Sequence, residues 1–455
     1  MPCVVAGCQA ERPDVSAEAA RLTGLKNAIT FRESEEPIDA APLSGGPLTR
    51  QQAVRLALTR DPRIQVSLAR VRVAEAEANQ ARLLPNPILT IDIRFPLTDS
   101  NTAFEPTLTG DLIALLQKPN QIAAADNRLR GSAADAMTTV LDVISEVLEA
   151  YAAARTVDME IDNAERRRQI LQQLRDLAQK RLDAGEATRL DVLTLDAQLM
   201  QSTLDLSDLR MQRVEQRLIL ARLVGQSRGD AQWELSSLEP PTAAALAPES
   251  AWVDAAMVNR PEIRSRAWEL KALGDDLAAA SLSPLQGGAI GAHAEHDPDW
   301  RLGPTITTPV PIFDFGQAAR AKVQAQRVAA RHELAQEQLV VIEEVRVAYA
   351  SYLHSREALA DAQNKLLPLQ RQQLEQARLA YQAGDVDLTT LLLAETDLQL
   401  TLSKIVELQE KVIVARVKLQ RAAGGAAVAD RIDAAATTQP PAEAPTSRPA
   451  TGAAQ

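Results

Sequence analysis

Leu182-Asp183-Ala184-Gly185 returns as Tyr381-Gln382-Ala383-Gly384, and the offset of 199 residues from one glycine to the other organises the whole chain. Asp61-Pro62-Arg63-Ile64 returns as Arg260-Pro261-Glu262-Ile263, Leu84-Pro85 as Ser283-Pro284, and Val224-Gly225 as Ala423-Gly424, all at that same offset. Four anchors at one spacing define an internal duplication. The chain therefore reads as an N-terminal linker (1–47), a first repeat (48–225), a connecting segment (226–249), a second repeat (250–425) and a tail (426–455). The tail is rich in Ala, Pro and Thr and reads as disordered.

Each repeat has one grammar. It opens with a helix of about 35 residues, Leu48 to Leu83 or Ser250 to Leu282, with Thr49 ahead of Gln51 and Gln52, and Ser250 ahead of Asp254, as caps. Pro85, Pro87 and Pro284 stop these helices. A strand-like zone follows, then a helix of about 60 residues, Asn120 to Ala184 or Gln317 to Ala383, that breaks at Gly185 or Gly384. A last helix runs to Gly225 or Gly424. Met137, Val140, Ile144, Val147, Leu148 and Tyr151 step by three and four, continued by Ile170, Leu174 and Leu177; Leu339, Ile342, Val345 and Tyr349 do so in the second copy. These stripes predict coiled-coil seams. Each repeat thus reads as a long antiparallel helical hairpin that reverses at a glycine tip.

The strand-like zones alternate. Leu89, Ile91, Ile93, Phe95 and Leu97 fall on one side, with Thr90, Asp92 and Arg94 on the other. Thr107 to Leu116 forms a second run, with Leu108 and Leu112 on one side. Ile290, Ala292 and Ala294 alternate with Gly291, His293 and Glu295, and Leu302, Ile306, Val310 and Ile312 with Gly303, Thr305 and Thr307. The turns fall at Thr98 to Pro106 and Asp297 to Trp300. Such runs approach the length that crosses an outer membrane at a tilt. Four strands cannot close a barrel in lipid, where every edge must be paired, so either three copies pool twelve strands or the strands form small soluble sheets.

Composition narrows the class. Of 455 residues 46 % are hydrophobic but only 3 % aromatic, a balance that suits Ala/Leu-rich helices. A net charge of −11 disfavours a nucleic-acid surface. Two cysteines and four histidines supply neither a disulfide framework nor a defined metal site, and neither a nucleophile–base set nor a phosphate-cradling glycine loop is present. His293, Glu295, His296, Asp297 and Asp299 make the densest ligand-like cluster; a polar turn between strands explains them equally well. Glu165-Arg166-Arg167-Arg168 reads as solvated helix face. Val5-Ala6-Gly7-Cys8 matches a lipobox, although seven residues cannot hold a signal segment, so a lipidated Cys8 and a chance match both stand.

The order of these motifs resembles the TolC family of bacterial outer-membrane efflux proteins. The resemblance rests on Leu48-Thr49 with Ala53 and Asp61-Pro62, on Leu83-Leu84-Pro85-Asn86-Pro87, on Pro311-Ile312-Phe313-Asp314-Phe315-Gly316, and on the two glycine tips. It implies a mainly α chain with a small β part, whose duplicated helical hairpins form an α-barrel tunnel. The four strands would enter a trimeric 12-stranded membrane β-barrel. It further implies a homotrimer in outer-membrane lipid, joined through a periplasmic adaptor (membrane fusion) protein to an inner-membrane pump of RND or ABC type, with no nucleic acid and no cofactor. Cys8 would match the family's lipidated cysteine, and 226–249 with the residues after Gly424 would form a belt. At the tips, Gly185 and Glu186, and Gly384, Asp385 and Asp387, would face the adaptor. Asp191 matches a family gate residue that accepts a hydrogen bond from a tyrosine, here Tyr381; as an alternative it caps the returning helix. Thr390 and Leu393 stand where the family carries an acidic ring, and Val386 replaces the basic gate partner, a role left to Arg189. The other reading of the sequence is a soluble periplasmic coiled-coil scaffold.

Overall fold

Prolines and caps set the boundaries of the elements. The computed structural model describes residues 10–25, 29–32, 46–95, 102–226, 233–237, 246–296 and 299–438; Cys8, Leu97, the start of the first expected turn and 439–455 lie outside them. In chain order these residues form α1 (Val15–Thr23), α2 (Arg50–Arg60), α3 (Pro62–Arg82), β1 (Ile88–Arg94), β2 (Ala103–Asp111), α4 (Leu112–Asp183), α5 (Arg189–Leu223), α6 (Glu249–Asn259) and α7 (Pro261–Ala280). There follow β3 (Ala289–His296), β4 (Trp300–Thr307), α8 (Gln317–Asp361), a π turn (Ala362–Leu366), α9 (Leu367–Ala383), α10 (Leu388–Ala422) and α11 (Ala426–Thr438). The starts of α6, α7 and α10 lie 199 residues after those of α2, α3 and α5.

Several expectations are corrected. Each opening helix is two helices, because Pro62 and Pro261 have no N–H to donate and push the preceding residue out of the helical region. Asp61 takes ψ 120° and Arg260 ψ 122°. Thr49 caps α2 in a box with Gln52, but α6 begins at Glu249, so Ser250 lies inside its first turn and is not the cap. The second strand runs Ala103–Asp111, starting inside the expected turn, and Leu112 to Leu116 are helical. The cause is Asp111, whose Oδ1 accepts from the Ala114 N–H at 2.8 Å and starts α4. In the second long helix Pro368 forces a local change: Leu367 N–H bonds to the Ala362 carbonyl, five residues back, in a π turn just ahead of the proline.

The residues fall into two units. The first takes the described parts of Met1–Glu18, Pro62–Thr139 and Arg260–Val340; the second takes Ala19–Asp61, Val140–Asn259 and Val341–Gln455. The first holds the sheet, antiparallel in the order β1-β2-β3-β4.

In the second unit Val140, Val147, Tyr151 and Leu174 are buried along α4, as the stripe predicts. The stripe of α8 is partly displaced: Val345 is buried as predicted, but Leu339 is exposed, Ile342 and Tyr349 are half-buried, and Val341, Ala348 and Tyr352 are buried beside them. The Tyr151 hydroxyl donates to the Leu48 carbonyl at 2.8 Å, beside a parallel bridge between Leu48 and Leu235 of the connecting segment. Ala426–Thr438, expected to be disordered, is the helix α11. Val428, Ala429 and Ile432 are buried, and Asp433 pairs with Arg416 of α10.

Candidate functional site: a sheet with its faces exchanged, and two helical tips

The register of the sheet sorts its side chains. Leu89 sits opposite Leu108, Ile93 opposite Phe104, Leu108 opposite Ala292, Ile290 opposite Ile306, and Ala294 opposite Leu302. Paired residues of an antiparallel ladder share a face, so one face is apolar throughout apart from His296. The other carries Thr90, Asp92, Arg94, Glu105, Thr107, His293, Glu295 and Arg301. Burial runs against the habit of a water-soluble sheet. Leu302 is 81 % and Ile306 73 % exposed, while Glu105 on the polar face is only 5 % exposed and pairs with Arg94. The Thr107 hydroxyl and His293 Nδ1 are 2.8 Å apart.

The ligand-like cluster disperses across this sheet. His293 and Glu295 lie on the polar face, while His296 lies on the other, stacked on Trp300 with centroids 5.0 Å apart. Among the described residues no group of three His, Cys, Asp or Glu side chains is placed to hold a metal. Asp297 lies outside the described residues.

The second unit carries the tips. Gly185 and Gly384 take φ +79° and +82°, the left-handed region that lets a helix end within one residue. The Glu186 N–H then bonds to the Arg181 carbonyl at 2.8 Å, and Asp385 N–H to the Ala380 carbonyl at 2.9 Å. Glu186, Asp385 and Asp387 are exposed. Each returning helix starts on a capping pair. Thr188 caps α5, and Asp191 Oδ2 accepts from the Thr188 N–H at 2.8 Å and from its hydroxyl at 2.9 Å. In the second copy the two residue types are exchanged: Asp387 caps α10, accepting from the Thr390 N–H at 2.9 Å and the Thr390 hydroxyl at 2.8 Å. Those bonds hold the Asp387 carboxyl below its ordinary pKa.

Asp191 is therefore spent on its own helix, and its carboxylate turns to Thr188 rather than to the Tyr381 hydroxyl. Tyr381 is buried in the core of the tips with Leu174, Val192, Leu195, Leu388 and Leu391, and Val386 packs against that core. Burial raises the Tyr381 pKa; the charge of Arg181 opposes this and that of Asp191 adds to it. Arg189 is exposed. The cation that reaches Tyr381 is Arg181, the first residue of the first tip motif (Arg181 to Gly185), to which the sequence assigns no role: its Nη1 donates to the Tyr381 carbonyl at 2.7 Å.

Deeper between α4 and α10 lies Glu395, only 1 % exposed, whose Oε1 accepts from Gln399 at 2.9 Å. Burial raises its carboxyl above the usual range; the Gln399 hydrogen bond and the charge of Arg167 act against this. Arg167, expected on a solvated face, thus turns inward. A carboxyl with a raised folded pKa contributes stability below its unfolded pKa, and loses it as pH rises through the folded one. Glu395→Gln is expected to raise the melting temperature at pH 7.5 and to flatten its dependence on pH above pH 4.5. Thermal melts at pH 7.5 and pH 5 check this; a lower melting temperature for the variant at pH 7.5 counts against it.

The chain thus carries duplicated helical hairpins and a four-stranded sheet whose apolar face is exposed. The outer membrane efflux protein family matches residues 53–226 and 252–425, two stretches offset by 199 residues, and the chain belongs to that family. The pyoverdine export outer membrane protein OpmQ of Pseudomonas aeruginosa is 29 % identical over 331 residues, 67 % of this chain. The match spans 65 % of that protein's length, just under two thirds. The fold is shared with the outer-membrane channel OprN, at a TM-score of 0.70 and 22 % identity over 83 % of this chain and 90 % of that one. It is shared also with the outer membrane protein VceC of Vibrio cholerae, at a TM-score of 0.67 and 18 % identity over 83 % and 96 % of the two chains.

Proposed function

We propose that the chain is one third of a passive duct in the bacterial outer membrane. Three copies would pool their strands into a 12-stranded barrel, and their helical hairpins would line a periplasmic tunnel. A periplasmic adaptor would dock at Gly185, Glu186, Gly384, Asp385 and Asp387 and connect the duct to an inner-membrane pump of RND or ABC type. The observation that carries this reading is the exchanged sheet. Its apolar face stands bare, while the Arg94–Glu105 pair and the Thr107–His293 contact sit on the other, as lipid outside and water inside require. The open edges of β1 and β4 supply the second reason, since lipid tolerates no unpaired strand edge. A soluble scaffold would need a cover over Leu89, Ile91, Leu302 and Ile306, which stand exposed. Extraction and native mass measurement test the proposal. A detergent-dependent trimer is expected; a monomer or dimer stable in plain buffer would overturn it.

The tips would form the tunnel mouth, with Asp191, Thr390, Arg189 and Tyr381 around it. Asp191→Ala leaves the Thr188 N–H without its acceptor and costs roughly 0.5–1 kcal/mol of cap. The looser tip is expected to raise conductance in planar bilayers, and an unchanged conductance removes Asp191 from the gate. The lipobox reading places a diacyl group on Cys8 as a further hold on the membrane. The mass of the N-terminal peptide decides it.

A further inference from the structure

Arg181 stands on the last turn of α4, four residues before Gly185, and its guanidinium works on the other hairpin. Nη1 donates to the Tyr381 carbonyl at 2.7 Å, and the guanidinium carbon lies 4.8 Å from the centre of the Tyr381 ring. Glu186 Oε2 stands 3.8 Å from Nε on the near side. The Tyr381 carbonyl belongs to the last turn of α9, where helix carbonyls run short of intrahelical donors and carry the negative end of the dipole. Its own hairpin supplies a long bond, from the Gly384 N–H at 3.2 Å. One cation therefore completes the end of the neighbouring hairpin and stacks on the aromatic ring buried in the core of the tips. The link is one-way: the repeat-related position is Ala380, which offers no cation in return.

We propose that Arg181 is a gating residue, an intra-subunit clamp that holds the α9–α10 tip against the α4–α5 tip. This rests on the duct reading and names the contact that opposes opening. Any movement that parts the two tips breaks the carbonyl bond and the ring contact together. Lysine cannot replace it, since an ammonium offers no plate to stack while it donates sideways. The carbonyl and the ring carry the clamp, and Arg181 also acts by hydrogen bonding on the phenol oxygen.

Single-channel recording of the full-length protein in planar bilayers tests the clamp, with trimer content and thermal melting measured on the same samples. Arg181→Ala is expected to raise open probability on the order of tenfold, the factor carried by a partly buried charge-assisted hydrogen bond with a cation–π contact. Arg181→Lys should fall between that variant and wild type, and Tyr381→Phe, which keeps ring and carbonyl and loses only the hydroxyl, should lie much closer to wild type than Arg181→Ala does. If Arg181→Ala fails to assemble, Tyr381→Leu, which removes the ring alone, should show a partial rise. Wild-type gating in Arg181→Ala, or a rise with Tyr381→Phe as large as with Arg181→Ala, overturns the clamp and leaves the duct standing. Absence of any wild-type pore overturns the duct, and the clamp with it.

Discussion

Ile306→Arg is expected to abolish assembly in the membrane while the helical part of the chain still folds. Ile306 lies on the apolar face of β4, opposite Ile290, and is 73 % exposed. A cationic side chain on the lipid face costs about 2–4 kcal/mol at mid-depth and less toward a rim, so three copies bring the total to as much as roughly 6–12 kcal/mol for the assembly. That is comparable to the whole stability of many proteins. The readout is loss of the heat-resistant trimer from the outer-membrane fraction. Thr305→Asn, one residue away on the polar face, supplies the control and should insert normally. Equal loss with both would mean that the two faces are not distinguished by lipid, and the proposed orientation would fail.

The second large effect falls on Trp252→Ala. Trp252 of α6 is 0 % exposed, with the Arg416 guanidinium 5.4 Å from its ring centre and 5.6 Å from that of Tyr352. Arg416 also pairs with Asp433 of α11. Removing the indole leaves a large cavity, costs about 3–5 kcal/mol, and withdraws one wall from the cation that anchors α11. The variant should lose α11 first, seen as early trypsin cleavage after Arg431, together with a clear fall in denaturation midpoint. Trp252→Phe should cost far less, because the indole N–H has no hydrogen-bond partner among the described residues to lose. Equal cleavage of wild type and Trp252→Ala would show that α11 is held by something else.

What is periodic or local in this chain is legible in its sequence. The 199-residue offset, the glycine tips and the alternation of Leu89, Ile91 and Ile93 each sit in a short window, and each is found in the structure. Proline effects are equally local, yet the helical pattern reads straight through Pro62, Pro261 and Pro368. Apolar periodicity continues across them while the hydrogen-bond ladder does not. The seam of α8 is ambiguous because Leu339-Val340-Val341-Ile342 are all apolar, so spacing alone cannot say which of them turns inward. α11 hides because Ala-rich sequence ahead of Pro440-Pro441 looks like tail, and what folds it, the burial of Val428, Ala429 and Ile432 and the pairing of Asp433 with Arg416, lies outside its own window. At the tips the glycines and caps are legible. Arg181 is not, because its partner is 200 residues away and its repeat counterpart is alanine.

The exchange of Thr188 and Asp191 for Asp387 and Thr390 bears on symmetry. Three subunits with two near-identical hairpins each would present six equivalent ends, a pseudo-sixfold ring. Moving the capping carboxylate by one helical turn between copies divides that ring into two alternating sets of three. A binding protein with six equal arms would then meet two kinds of seat, and its own arms would have to differ in pairs or be content with every other one.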